Sequence, residues 1–143
     1  LPAQPDPLRY MGAAAALETA GNPEAAKAAY AAAAGLWPKA PLPRLGLGNL
    51  AAAAGDWATA ERWYRAVLAA DPAQAVALNN RAEALVRLGC PDAARLLLQQ
   101  GMVHVAADDP LHPVLLQTAR ELPAQVAAVP AGAAVECTQF TVR

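Results

Sequence analysis

Residues 45–72 read LGLGNLAAAAGDWATAERWYRAVLAADP, and what stands 34 positions to either side of them decides the fold. Gly55 has counterparts at Gly21 and Gly89, Ala60 at Ala26 and Ala94, and Tyr64 at Tyr30 and Leu98. Pro72 matches Pro38, and Ala106 holds the third such place. Several registers keeping one step without a gap define three consecutive units, 7–40, 41–74 and 75–108.

Each unit reads as a helical hairpin. In the second, the first helix is predicted from Pro41 to Ala54, with its prolines in the first turn, where a missing N–H is harmless. Gly55 supplies the left-handed residue that ends it. Asp56 can cap a second helix that carries Trp57 and Tyr64, and Asp71-Pro72 stops that helix. The first unit repeats the scheme with Gly21, Asn22 as cap, Pro23 and Glu24. Small residues let the paired helices approach: Ala14 with Ala26, Gly48 with Ala60, and Ala82 with Ala94.

Composition agrees. The chain holds 40 alanines, 13 prolines and 9 glycines, which suits many helices with firm stops between them. At 56% hydrophobic and 16% charged residues it is too apolar for disorder. A net charge of −1 gives no broad field for nucleic acid or an anionic membrane, and no apolar run is long enough to span a bilayer. Alanine richness suggests a GC-rich bacterial source. The start at Leu1 is what a fragment or processed product would show, so a cytoplasmic and an exported location both stay open.

Leu47-Gly48, Gly55, Ala60, Tyr64 and Pro72 together resemble the tetratricopeptide repeat (TPR) family, and the resemblance runs over residues 7–108. It implies an all-α, right-handed superhelical solenoid of three helical hairpins closed by a C-terminal capping helix. Departures fall at Arg44 and Leu78, which replace the early aromatic Tyr10, and at Arg81, which stands where the second unit has Leu47. Gly101 weakens the last second helix. Residues 109–122 are expected to form the cap, with Leu111, Leu115, Thr118, Ala119 and Leu122 inward and Gln117, Arg120 and Glu121 outward. Residues 1–6 are then an N-terminal extension, and 123–143 a tail expected to be extended, its Val135–Val142 stretch being rich in β-branched residues.

The family resemblance implies a protein or peptide partner on the concave face, which the first helices line. By register that face takes Leu8, Met11, Ala15 and Glu18, then Leu42, Leu45, Asn49 and Ala52, then Val76, Asn79, Glu83, Val86 and Arg87. Met11, Leu45, Asn49, Val76, Asn79, Glu83 and Arg87 are the expected peptide contacts. Asparagine both donates and accepts, so it can pair with any peptide backbone. Asn49 and Asn79 read equally as ligand contacts or as solvated helix surface, and Asn80 as a tie between helices. TPRs that clamp a chaperone's carboxylate use Lys, Asn and Arg. The matching positions here are Met11, Ala15, Gly46, Val76 and Asn80, which carry no positive charge, so the groove favours apolar anchors.

The remaining candidates carry bland readings beside sharp ones. Trp37 and Trp57 occupy packing positions, and Trp63 falls toward the outer side, as core or as a second contact surface. Cys90 stands at the cap of the third second helix, as an inert residue, a thiol activated by the helix end, or half of a bridge to Cys137. His104, Asp108, Asp109 and His112 match no metal spacing, and no catalytic motif appears, so neither a metal, a cofactor nor an enzyme activity is expected of the chain itself. Two other classes stay open. The chain can be the C-terminal accessory module of a larger bacterial enzyme: Trp37-Pro38, Leu45–Asn49 and Asn79-Asn80 resemble TPR regions that follow cysteine peptidase domains. It can also self-assemble as a homo-oligomer, with its tail in its own or a neighbour's groove.

Overall fold

The computed structural model describes residues 6–126 and 137–140, with side chains to Leu122 in the first stretch. Among the described residues seven α-helices run in order: α1 (Pro7–Thr19), α2 (Pro23–Leu36), α3 (Pro41–Ala53), α4 (Trp57–Ala70), α5 (Ala75–Arg87), α6 (Pro91–Gly101) and α7 (His112–Val126). They form a right-handed superhelical solenoid of three hairpins plus a terminal helix. The first helices α1, α3 and α5 make one layer and the second helices α2, α4 and α6 the other.

The turns follow the sequence signals. Among the described residues, Gly21, Gly55 and Gly89 are those with positive φ, at 77°, 78° and 84°, each between the two helices of its unit. Asn22 Oδ1 accepts the Ala25 N–H at 3.2 Å and Asp56 Oδ1 accepts the Thr59 N–H at 3.1 Å. Cys90 holds the same place before α6 but makes no cap bond with its side chain.

Between helices, a small residue faces a large one. A Cβ at Gly48 would lie 2.6 Å from Tyr64 Cε1, and one at Gly46 would lie 2.6 Å from Tyr30 Cε1. The two rings thus grip α3 from both sides, within its own unit and from the unit before. Ala14, Ala26, Ala60, Ala82 and Ala94 are all fully buried, as the repeat requires. Tyr10 and Trp37 meet edge to face at 5.7 Å between centroids, and Arg44, where the second unit lacks that tyrosine, donates to the Pro38 carbonyl instead. Trp57 and Trp63 are half-buried, the latter against the cluster of Ala14, Ala26, Tyr30 and Leu47.

The C-terminal end departs from expectation in two places. The last helix starts at His112 rather than 109 and runs through Pro123 to Val126 instead of stopping at 122. Pro123 has no N–H to give the Ala119 carbonyl, so the last turn runs on with one backbone bond missing. Cys137–Phe140 is a 3₁₀ turn, not extended chain, and a disulfide ties Cys137 to Cys90, with 5.5 Å between Cα atoms. Phe140 then fills the core beside Leu97, Leu98 and Leu115, with the Arg65 guanidinium 5.9 Å from its ring centroid. This part of the tail is therefore pinned to the second-helix layer and does not lie along the first helices. Residues 1–5 of the extension and the rest of the tail, Pro130, Val135 and Val142 included, lie outside the described residues.

Candidate peptide-binding face

The first-helix layer begins from a polar tie. Asn49 of α3 accepts the Tyr64 hydroxyl at 2.8 Å and the Asn80 amide at 3.2 Å, both on Oδ1. One side chain thus joins α3, α4 and α5, and its acceptor oxygen is spent inside the protein. Asn80 is the helix tie expected of it. In the first unit Tyr30 donates to Glu18 at 2.9 Å in the same spirit. Burial is the chief reason both phenols are pushed up to about 12.

The third unit breaks this pattern. Leu98 replaces the tyrosine, so Glu83, the register counterpart of Asn49, has no hydroxyl from its own unit to bind. Glu83 stays exposed and pairs instead with Arg87 at 3.7 Å, one turn on. The Arg87 guanidinium also lies 5.2 Å from the centroid of Trp57. Polar groups that the earlier units consume internally are here presented outward.

A cleft of about 380 Å³ opens at this point, lined by Asn79, Glu83, Val86 and Arg87 of α5 and by Val114 and Thr118 of α7. It brings together three of the seven expected contacts. Val76 is 37% exposed one turn earlier on the same helix, while Met11 is half-buried on α1, beyond the cleft. Leu45 is 8% exposed and packs into the core with Ala60, Tyr64, Val67, Ala77 and Ala84, so it offers a ligand little surface. Leucine there closes the α3–α5 seam, where the register alone put it on the wall.

Val114 has no place in the sequence reading, and Thr118 enters it as an inward residue of the cap, because reading 109–122 only as a cap gives it no face toward α5. The signal was present: Leu115 stands 34 residues after Arg81 and Leu122 stands 34 after Leu88, so α7 occupies the place of a fourth first helix. Leu115 and Leu122 are fully buried, and Val114 and Thr118, on the flank of that buried face, line the cleft with α5. His104 is exposed and His112 half-buried, and among the described residues no three His, Cys, Asp or Glu side chains gather as a metal site.

A second polar group went unread. Glu61 of α4 is fully buried and accepts Arg81 Nε of α5 at 3.0 Å and Arg65 Nε of α4 at 3.0 Å. The departure at Arg81 is thus answered by an acid in the neighbouring unit. Desolvation lowers the Arg81 pKa, and the charge of Glu61 opposes that.

Comparison with known proteins bears on both layers. The tetratricopeptide repeat family model matches residues 10–75 and 45–110. No curated protein sequence matches the chain. Among solved structures, the type III secretion translocator chaperone SycD of Yersinia enterocolitica is similar in fold, at a TM-score of 0.71 and 20% identity over 84% of this chain and 83% of that one. The same chaperone in complex with a peptide of the translocator YopD superposes at 0.73, with 20% identity over 84% of this chain and 92% of that one. With the matched segments spanning the three hairpins and the terminal helix completing a two-layer solenoid, the chain belongs to the tetratricopeptide repeat family.

Proposed function

We propose that the chain is a non-catalytic scaffold that holds a peptide segment of a partner protein against its first-helix face, with the α5–α7 cleft as the anchor. The observation that carries this reading is the cleft itself, where the amide of Asn79 and the Glu83–Arg87 pair meet the apolar edges of Val86 and Val114. An amide can bond an extended backbone, and the apolar edges favour an aliphatic side chain beside it. That SycD has been seen with a bound translocator peptide supports the reading for this fold. The Cys90–Cys137 disulfide supports an exported or otherwise oxidising setting over a reducing cytoplasm.

The test is site-specific photocrosslinking in the native host. A benzophenone side chain replaces Asn79 in one variant and the exposed Ala66 of α4 in another. The reading expects a discrete adduct from position 79 and none of that mass from position 66. The reverse pattern contradicts it.

A further inference from the structure

The second-helix layer carries a cleft of its own, an open one of about 610 Å³ between α4 and α6. Leu68 and Leu97 form its walls, Leu78 and Arg81 of α5 lie at its floor, and Arg65 reaches in from α4. Gly101 ends one wall. A Cβ there would sit 2.5 Å from Leu78 Cδ1, so at this point the wall carries no side chain.

The electrostatics of the floor are unbalanced. Arg65 and Arg81 share the one carboxylate of Glu61, which leaves an excess of one positive charge. The Arg81 side chain is 7% exposed, and its two terminal nitrogens have no partner among the described residues. Every fully buried side-chain nitrogen and oxygen described has a hydrogen bond, so those nitrogens keep their exposure, and Arg81 lines the cleft. Among the described residues no carboxylate lines it. A guanidinium nine-tenths desolvated, lining an apolar-walled opening with terminal nitrogens that no described residue bonds, is arranged for an anion.

The size of the imbalance selects the anion. One carboxylate cancels one excess charge, whereas a phosphate dianion would leave surplus negative charge among leucines. The walls require apolar groups next to that carboxylate, and Gln100 at the rim can both donate to and accept from a peptide backbone. The same layer already accepts a short segment from outside the hairpins: Phe140 is 5% exposed, with its ring beside Arg65.

We propose that the α4–α6 cleft is a second peptide site, taking an acidic side chain flanked by apolar residues. It involves other helices than the α5–α7 cleft and stands or falls separately from it.

The test is a two-dimensional NMR titration of the full chain that follows arginine Nε–H and backbone amide signals. The probe is a blocked hexapeptide with glutamate between two leucines, and the control carries glutamine in its place. The proposal expects saturable shifts at Arg65, Arg81 and residues 97–101, at least tenfold weaker binding of the glutamine peptide, and a similar loss in Arg65→Gln. Arg65 is partly exposed, so that variant keeps its fold, and a variant of the half-buried Leu68, Leu68→Ser, with an unchanged amide spectrum elsewhere checks the apolar wall. Equal affinity for both peptides, shifts confined to α5 and α7, or no saturable shift at either arginine would each overturn it.

Discussion

The hydroxyl of Tyr64 donates to Oδ1 of Asn49 at 2.8 Å, and this bond separates two asparagines that the sequence presents alike. Asn49 is spent on joining three helices, while Asn79 faces the α5–α7 cleft. Asn49→Ala removes two internal hydrogen bonds and is expected to cost about 1–2 kcal/mol of stability. Asn79→Ala is expected to leave thermal unfolding within about 0.5 kcal/mol of the parent while weakening partner retention. Paired melting curves and pull-downs of the two variants check the split.

The close seating of Tyr64 on Gly48 gives a second test. Gly48→Ala places a methyl group against the ring and is expected to destabilise by about 1–3 kcal/mol through overpacking. The third unit has the relaxed combination naturally, with Ala82 where the second has Gly48 and Leu98 where it has Tyr64. Adding Tyr64→Leu to Gly48→Ala should therefore recover part of the loss. Urea unfolding of the single and double variants measures the coupling.

Glu61 and Arg81 make a sharper one. Glu61→Ala leaves a buried guanidinium without its counter-charge at Arg81 and is expected to cost about 3–5 kcal/mol. A Glu61→Leu, Arg81→Leu double variant removes both charges and should be more stable than Glu61→Ala. The leucine found at position 47 of the second unit shows that the fold accepts that side chain at this register. A double variant no more stable than Glu61→Ala would contradict the ion-pair account.

Alkaline pH should unfold the chain through Tyr30 and Tyr64. Their folded pKa values, pushed up to about 12 from 10, mean that the unfolded chain loses those protons first. Stability from this source is complete below pH 10 and declines as pH rises toward 12, by on the order of 2 kcal/mol per tyrosine at most. Denaturant midpoints between those pH values should fall for the parent and fall less for Tyr30→Phe, Tyr64→Phe.

The disulfide closes a loop that contains α6 and α7, its cysteines standing 47 positions apart in sequence. Loop entropy of that length corresponds to about 4 kcal/mol, so reduction or Cys137→Ser should lower the melting temperature by several degrees. Identical melting with and without a reductant would remove the bridge from the account.

What could be read in advance was whatever the units share. The 34-residue step reports a common backbone path, so the hairpins, the left-handed glycines, the buried alanines and the aromatic seats were all legible. Private features were not. Glu61 aligns with Lys27 and Arg95, so nothing in the register announces its pairing with Arg81 in the next unit. Leu45 and Asn49 share a helix face with groove positions, and only the approach of α5 decides that they are covered. The tail's course depends on a disulfide that spacing alone could not assign, and β-branched composition pointed to extended chain where Cys137–Phe140, next to the bridge, forms a 3₁₀ turn.

Hydrogen exchange followed by mass spectrometry, on the chain alone and with a partner it retains, tests the proposed peptide face most directly. The account predicts added protection in residues 75–87 and 112–122, on the two sides of the α5–α7 cleft, with α2 unchanged. Protection confined to α2, α4 and α6, with α5 and α7 exchanging as in the free chain, would contradict it.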